Sequence, residues 1–247
     1  MINQSHKDGE RKGHMADMTT TPTATPAPTD KRKRQYAEQD QRIANDISDV
    51  AEMLGVAKTD TEIGPLMATK GYDAAELTAG STLHGAAETT FGERQKAMAK
   101  SDKALELFTN LEQSARQDYA DFRETARVKF NAAADQAALG LNGRVPKDLQ
   151  KFITSATASY TGAQGAAYAP ELTKVGYPPA NITAAITALK ALGKAHADFT
   201  SAEADAVTAT KARDTAHKDM MKWAKSYRRL GRIALRSKPA LRAKIGA

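Results

Sequence analysis

Cysteine is absent from this chain of 247 residues. That removes disulfide frameworks, thiolate metal sites, iron–sulfur ligation and thiol nucleophiles. Aromatic residues are scarce, with Trp223 the single tryptophan. Large side chains bury most apolar area, so a core rich in alanine gains less per residue. Long helices are the usual compensation, because alanine has the best helix propensity. No run approaches the roughly 18 apolar residues of a membrane-spanning helix. The polar stretch 1–30 lacks the apolar segment of a secretory signal. A soluble, cytoplasmic protein is therefore the expectation.

Signatures of chemistry are also missing. There is no Gly-Lys-Ser/Thr phosphate loop, no Gly-x-Gly-x-x-Gly and no Gly-x-Ser-x-Gly. A di-iron helical bundle needs two Glu-x-x-His pairs, and the chain has none. Its histidines are His6, His14, His84, His196 and His217. Asp214 with His217, and His84 with Glu88, share helix faces but fall short of a ligand set. The carboxylate pairs Asp118/Asp121 and Asp198/Asp205 read as solvated faces. The sequence thus predicts no catalytic residue, no metal ligand and no cofactor.

The charge that is present is unevenly spread. The formal net charge is +7. Residues 209–247 carry twelve Lys/Arg against two Asp, a net of +10, whereas 38–208 carry 17 basic against 23 acidic residues, a net of −6. Residues 1–37 have a low-complexity run from Thr19 to Thr29 of threonine, proline and alanine, followed by Lys31-Arg32-Lys33-Arg34. Such a composition cannot form a core and predicts a disordered tail.

Apolar periodicity predicts helices for the remainder. A first stripe, Ile43, Ile47, Val50 and Leu54, spans Tyr36 to Leu54, with Gly55 as its stop and 56–72 as a connecting loop with room for one short turn. A proline-free stretch from Asp73 to Leu141 carries Ala97, Ala104, Phe108, Leu111, Ala115, Phe122, Ala126 and Phe130, and Gly92 admits a kink or a break. A helix starting at Pro146 runs to Tyr160, and a loop follows. The longest pattern lies between Ala180 and Leu235. It steps by threes and fours through Ala188, Leu192, Ala195, Phe199, Ala202, Ala206, Ala209, Arg213, Ala216, Met220, Trp223, Tyr227, Leu230 and Ala234. This is a heptad-like seam, and Arg213 is its one member that is neither apolar nor small. A short terminal turn follows Pro239.

The two halves match at an offset of 105 residues. Pro65, Gly71 and Tyr72 correspond to Pro170, Gly176 and Tyr177, and Phe122-Arg123 corresponds to Tyr227-Arg228. The expected architecture is all-α: an elongated antiparallel helical bundle of two repeats, each a short helix, a loop and a long helix. The segments are a tail at 1–37, repeat one at 38–141 and repeat two at 142–247. The second repeat carries Gly176-Tyr177, Ala209-Thr210-Lys211-Ala212-Arg213-Asp214, Trp223, Arg232-Ile233-Ala234-Leu235, Pro239 and Ile245-Gly246. In these features it resembles a family of uncharacterised bacterial alanine-rich long-helix proteins. The resemblance implies a fold and brings no activity. The first repeat lacks the Ala-Thr-x-Ala-Arg-Asp stretch.

The basic end is the candidate functional region. Lys218, Lys222, Lys225, Arg228, Arg229, Arg232, Arg236, Lys238, Arg242 and Lys244 crowd it, and several follow helical spacing beside the seam. A stripe of this kind neutralises phosphates without reading bases. It equally suits an anionic membrane surface, the helix macrodipole or the acidic body of a neighbouring unit or chain. The expected role is a non-enzymatic structural or interaction scaffold engaging a protein partner or itself. The alternative is a nonspecific nucleic-acid-binding architectural protein.

Overall fold

A computed structural model describes residues 28–247, with side chains from residue 37 onward. Every regular element among the described residues is an α-helix: α1 Pro28–Thr59, α2 Ile63–Ala68, α3 Ala74–Lys129, α4 Ala133–Ala138, α5 Leu149–Ala163, α6 Ala169–Lys174, α7 Pro179–Ala234 and α8 Pro239–Lys244. The chain divides between Arg42 and Ile43. Residues 28–42 supply the beginning of α1, and the unit 43–247 holds the remaining elements and all contacts described below. The tail expected at 1–37 lies outside the described residues up to position 27, as do the side chains of Lys31 to Arg34.

Local chemistry sets the helix boundaries. The Asp73 carboxylate accepts from the Ala75 and Glu76 amides at 3.0 Å each, capping α3. Asp148 does the same for α5 through the Lys151 amide at 2.8 Å. The start expected at Pro146 is therefore corrected to Leu149. The carbonyls of Pro146 and Lys147 instead accept from the Arg116 guanidinium at 2.9 Å each, which holds them as loop. α7 begins with Pro179 in its first turn, where a missing amide hydrogen costs nothing.

Two further expectations are corrected. α1 begins at Pro28 and continues through Gly55 to Thr59, so Gly55 is not a stop. α3 passes through Gly92 unbroken. A lone glycine leaves the backbone ladder intact and costs only about 1 kcal/mol against alanine. The segments read as loops also hold the short helices α2 and α6. Each ends on a glycine with positive φ, Gly71 at 86° and Gly176 at 92°. The next amide then reaches back to the helix: Tyr72 to the Met67 carbonyl at 3.1 Å, and Tyr177 to that of Leu172 at 2.9 Å.

α3 and α7 pack on one another along their length. All fourteen members of the α7 seam are buried or half-buried, as is the α3 stripe from Ala97 to Phe130. Glu76 meets Trp223, Lys100 meets Asp205, and Phe108 meets both His196 and Phe199. The large side chains gather in two clusters. One joins Val50, Met53 and Leu54 of α1 to Ile63 and Met67 of α2 and to Met220, Trp223 and Tyr227 of α7. The other joins Tyr119 and Phe122 of α3 to Phe152 and Tyr160 of α5, Leu172 of α6 and Ile182 and Leu189 of α7. Between them α7 buries mainly alanines, Ala195, Ala202 and Ala206, together with Arg213. Each fully buried large apolar side chain stabilises by about 1.5–3 kcal/mol, so the clusters dominate the alanine stretch.

Candidate functional site

The last third of α7 presents two faces. Met220, Trp223 and Tyr227 point into the first cluster. Lys218, Lys222, Lys225, Arg229, Arg232 and Arg236 lie on the other side and are all exposed. The first five stand on α7 and Arg236 just beyond its end. Their steps of four, three, four, three and four residues keep them on one face. At about 1.5 Å per residue the row is roughly 27 Å long. Among the described residues no carboxylate lies within ion-pair distance of any of the six. Ile233, 58% exposed, stands among them.

The remaining four candidates are used differently. Lys238 pairs with Glu62, and Lys244 with Asp60 at 2.9 Å. Both tie the chain's last segment to the turn before α2. The Asp60 carboxylate also accepts from the Glu62 and Ile63 amides at 3.0 and 3.1 Å. The Lys244 hydrogen bond first, and these amides next, pull its pKa down to about 2. Arg228 and Arg242 are half-buried. The Arg228 Nε is sealed from solvent without a hydrogen-bond partner and lies 3.5 Å from where a Cβ on Gly246 would sit. The ten basic residues therefore resolve into six available cations, two ion-pair anchors and two packed guanidinium groups.

Aromatic stacking is not available to this face. Tyr227 is fully buried and Trp223 is 8% exposed. The Trp223 Nε1 hydrogen is donated to Glu76 Oε1 at 3.0 Å. The histidines are also accounted for among the described residues. His217 Nε2 contacts Asp46 Oδ2 at 2.8 Å, His84 Nε2 contacts the Ile47 carbonyl at 3.2 Å, and His196 packs on Phe108. Asp214 turns to Arg213 rather than His217, accepting from the guanidinium at 2.7 and 3.0 Å. Among the described residues no group of three His, Cys, Asp or Glu side chains could hold a metal ion. No helix there is long and apolar enough to cross a membrane.

Sequence reasoning missed a second arginine arrangement. Arg123 is buried, and its guanidinium donates to the Leu141 carbonyl at 2.6 Å and that of Gly143 at 2.9 Å. Arg127, one turn later, shares the Leu141 carbonyl at 3.1 Å through its Nε. Burial and the neighbouring Arg127 both lower the Arg123 pKa. The pair pins the loop after α4 to the end of α3. The spacing of four residues was visible in the sequence; the carbonyl acceptors 14 to 20 residues away were not.

The chain was compared with models of protein families, with curated proteins and with solved structures, and none of them matches it.

Proposed function

We propose that this is a non-enzymatic helical scaffold that docks on nucleic-acid backbone through the basic row of α7. The observation that carries the reading is the set of six exposed cations, Lys218, Lys222, Lys225, Arg229, Arg232 and Arg236, which have no ion-pair partner among the described residues, on a face about 27 Å long. Paired cations are already neutralised, whereas unpaired ones release counterions when they meet phosphates. The buried aromatics favour contact with the backbone over the bases. A cytoplasmic setting belongs to the same reading.

We further propose that the scaffold is two repeats run antiparallel. Several features support this. α3 and α7 have 56 residues each, and their first residues, 74 and 179, differ by 105. The order of their contacts, Glu76 with Trp223 through Phe108 with His196, runs in opposite directions along the two helices. Tyr72 meets Tyr227 edge-on at 5.1 Å, and Tyr177 meets Phe122 edge-on at 5.4 Å, each tyrosine 105 residues from the other and each partner likewise.

The test is a titration of short duplex and single-stranded DNA with the full chain at two salt concentrations, beside a variant with the six residues changed to glutamine. Six phosphate contacts predict an affinity loss of about 10³-fold between roughly 50 and 200 mM salt. The variant is expected to lose binding. Affinity that ignores salt, or that survives in the variant, overturns the reading. Absence of binding at low salt also overturns it and makes the row a protein-facing surface.

A further inference from the structure

On the proposed repeat, one place near the two clusters is finished differently. In the first cluster the Trp223 indole lies directly over Gly80, so close that a Cβ there would come within 2.3 Å of its Cζ2. Tyr72 packs edge-on against the indole at 5.8 Å, and Glu76 accepts its N–H. The positions 105 residues away hold Asp118 for Trp223, Ala185 for Gly80, Tyr177 for Tyr72 and Asn181 for Glu76. No ring fills the space. This comparison rests on the repeat; the geometry of the space itself does not.

That space is a cleft of about 350 Å³ lined by Asp118, Asp121, Tyr160, Tyr177 and Asn181, with alanines of α7 as the remaining wall. Pockets of roughly this size accommodate small organic ligands. Tyr160 is 2% exposed, packed by Phe122 at 4.6 Å and Tyr119 at 5.8 Å. Among the described residues its hydroxyl has no hydrogen-bond partner, and the residue lines the cleft. Asp118 and Asp121 stand one turn apart on α3. They accept from neutral side chains: Asp118 from the Ser114 hydroxyl at 3.5 Å and Asp121 from the Gln117 amide at 2.9 Å. Among the described residues no Lys or Arg pairs with either carboxylate, in a chain whose formal charge is +7. Burial, and after it the charge of Asp118, raises the Tyr160 pKa, so the hydroxyl stays protonated at neutral pH.

We propose that this cleft binds a small organic cation, a primary ammonium carrying a short apolar body. The ammonium supplies three donors. The two carboxylates and the Tyr160 oxygen are three acceptors, and the tyrosine rings favour a cation at their faces. The apolar body lies against the alanines. A hard metal ion fits less well: it finds two carboxylates here where it takes six or more oxygen ligands, and the alanine wall offers it nothing.

The experiment titrates the full chain with phenethylammonium chloride, followed by calorimetry and by amide chemical shifts, with magnesium chloride as the comparison. Saturable one-site binding with shifts at α3 and at the start of α7 is expected. The double variant Asp118→Asn, Asp121→Asn should weaken it more than about tenfold, and Tyr160→Phe about three- to tenfold. Both variants change polar atoms at nearly constant volume, and a melting curve checks that the fold persists. Asp118→Trp with Ala185→Gly imitates Trp223 over Gly80 and should close the cleft. Failure of that pair to fold, while the asparagine variants lose binding, discards the repeat comparison and keeps the site. Binding that survives the asparagine pair, saturation by magnesium alone, or no saturable binding up to about 10 mM overturns the site.

Discussion

The two clusters share α3 and α7 and reach closure by different chemistry. Around Trp223 the indole stacks on Tyr227 at 5.4 Å, meets Tyr72 edge-on and discharges its one polar hydrogen on Glu76 at the rim. Around Tyr160 four rings, Tyr119, Phe122, Phe152 and Tyr160, pack on each other, and a buried hydrogen bond of 2.8 Å joins Tyr119 to Ser159. The first region is sealed by one large side chain whose polar atom faces outward. The second has more aromatic mass inside and leaves a polar cleft at its surface. On the proposed repeat, the helix pair exchanges a plug for a pocket, with Ala185 in place of Gly80 where Asp118 replaces Trp223.

The largest effect should come from removing the plug. Trp223→Ala is expected to cost about 3–5 kcal/mol in a urea denaturation, because the cavity against Gly80 cannot collapse fully. A cost below about 1 kcal/mol would mean that the indole does not seal the first cluster. The complementary change comes next. Gly80→Ala adds a methyl into the indole and should destabilise by about 1–3 kcal/mol. Gly85→Ala and Gly92→Ala, with nothing within 4 Å of the new carbon, should instead stabilise by about 0.5–1 kcal/mol each. Ala185→Gly, at the open cleft, should only lose that helix-propensity increment. If Gly80→Ala also stabilises, the close approach is wrong.

A smaller difference separates the polar links. Tyr119 and Ser159 are 0% and 1% exposed, so Tyr119→Phe strands a buried hydroxyl and should cost about 1–3 kcal/mol. The double change with Ser159→Ala should cost less than the two single changes together, and that coupling is the readout. Glu76 is half-buried, and water can replace it beneath the indole N–H. Glu76→Ala is therefore expected to cost no more than about 1 kcal/mol.

Much of the helical frame was legible because period and spacing are properties of the sequence. The α7 seam from Ala188 to Ala234 is buried or half-buried as its threes and fours require, with the exceptional Arg213 fully buried. The boundaries were less so. Gly55 and Gly92 look like breaks, but one glycine is a small debt against a buried stripe. Pro146 looks like a helix start, but Arg116, 30 residues upstream, claims its carbonyl. The basic row of α7 was readable from spacing alone. Which of the ten cations were already committed was not, since Glu62 and Asp60 lie far from Lys238 and Lys244 in sequence. Asp118 and Asp121 are exposed, as the solvated-face reading expects; spacing on one helix could not show Tyr160, which comes from another helix and gives the cleft beside them a buried wall.

The smallest effect concerns acid. Each region has a carboxylate clamped by lysine. Lys244, with backbone amides, lowers Asp60 to about 2; Lys129 first and then Lys174 lower Glu171 to about 2. Lys129 holds Glu171 at 2.6 Å. Both folded-state values lie below the ordinary 3.8 and 4.5, so the folded protein binds these protons more weakly than the unfolded chain does. The resulting stabilisation is present in full above about pH 4.5 and is lost as pH falls through about 2. Asp60→Asn and Glu171→Gln should each lower the melting temperature slightly at neutral pH and flatten the acid limb between about pH 4.5 and 2. Both pairs are reached by solvent, so raising salt should shrink the effect in both. An acid limb unchanged in Asp60→Asn but flattened in Glu171→Gln would show that α8, which carries Lys244, does not hold the turn before α2. The Trp223 cluster would then depend on its indole and not on the ion pairs at its edge.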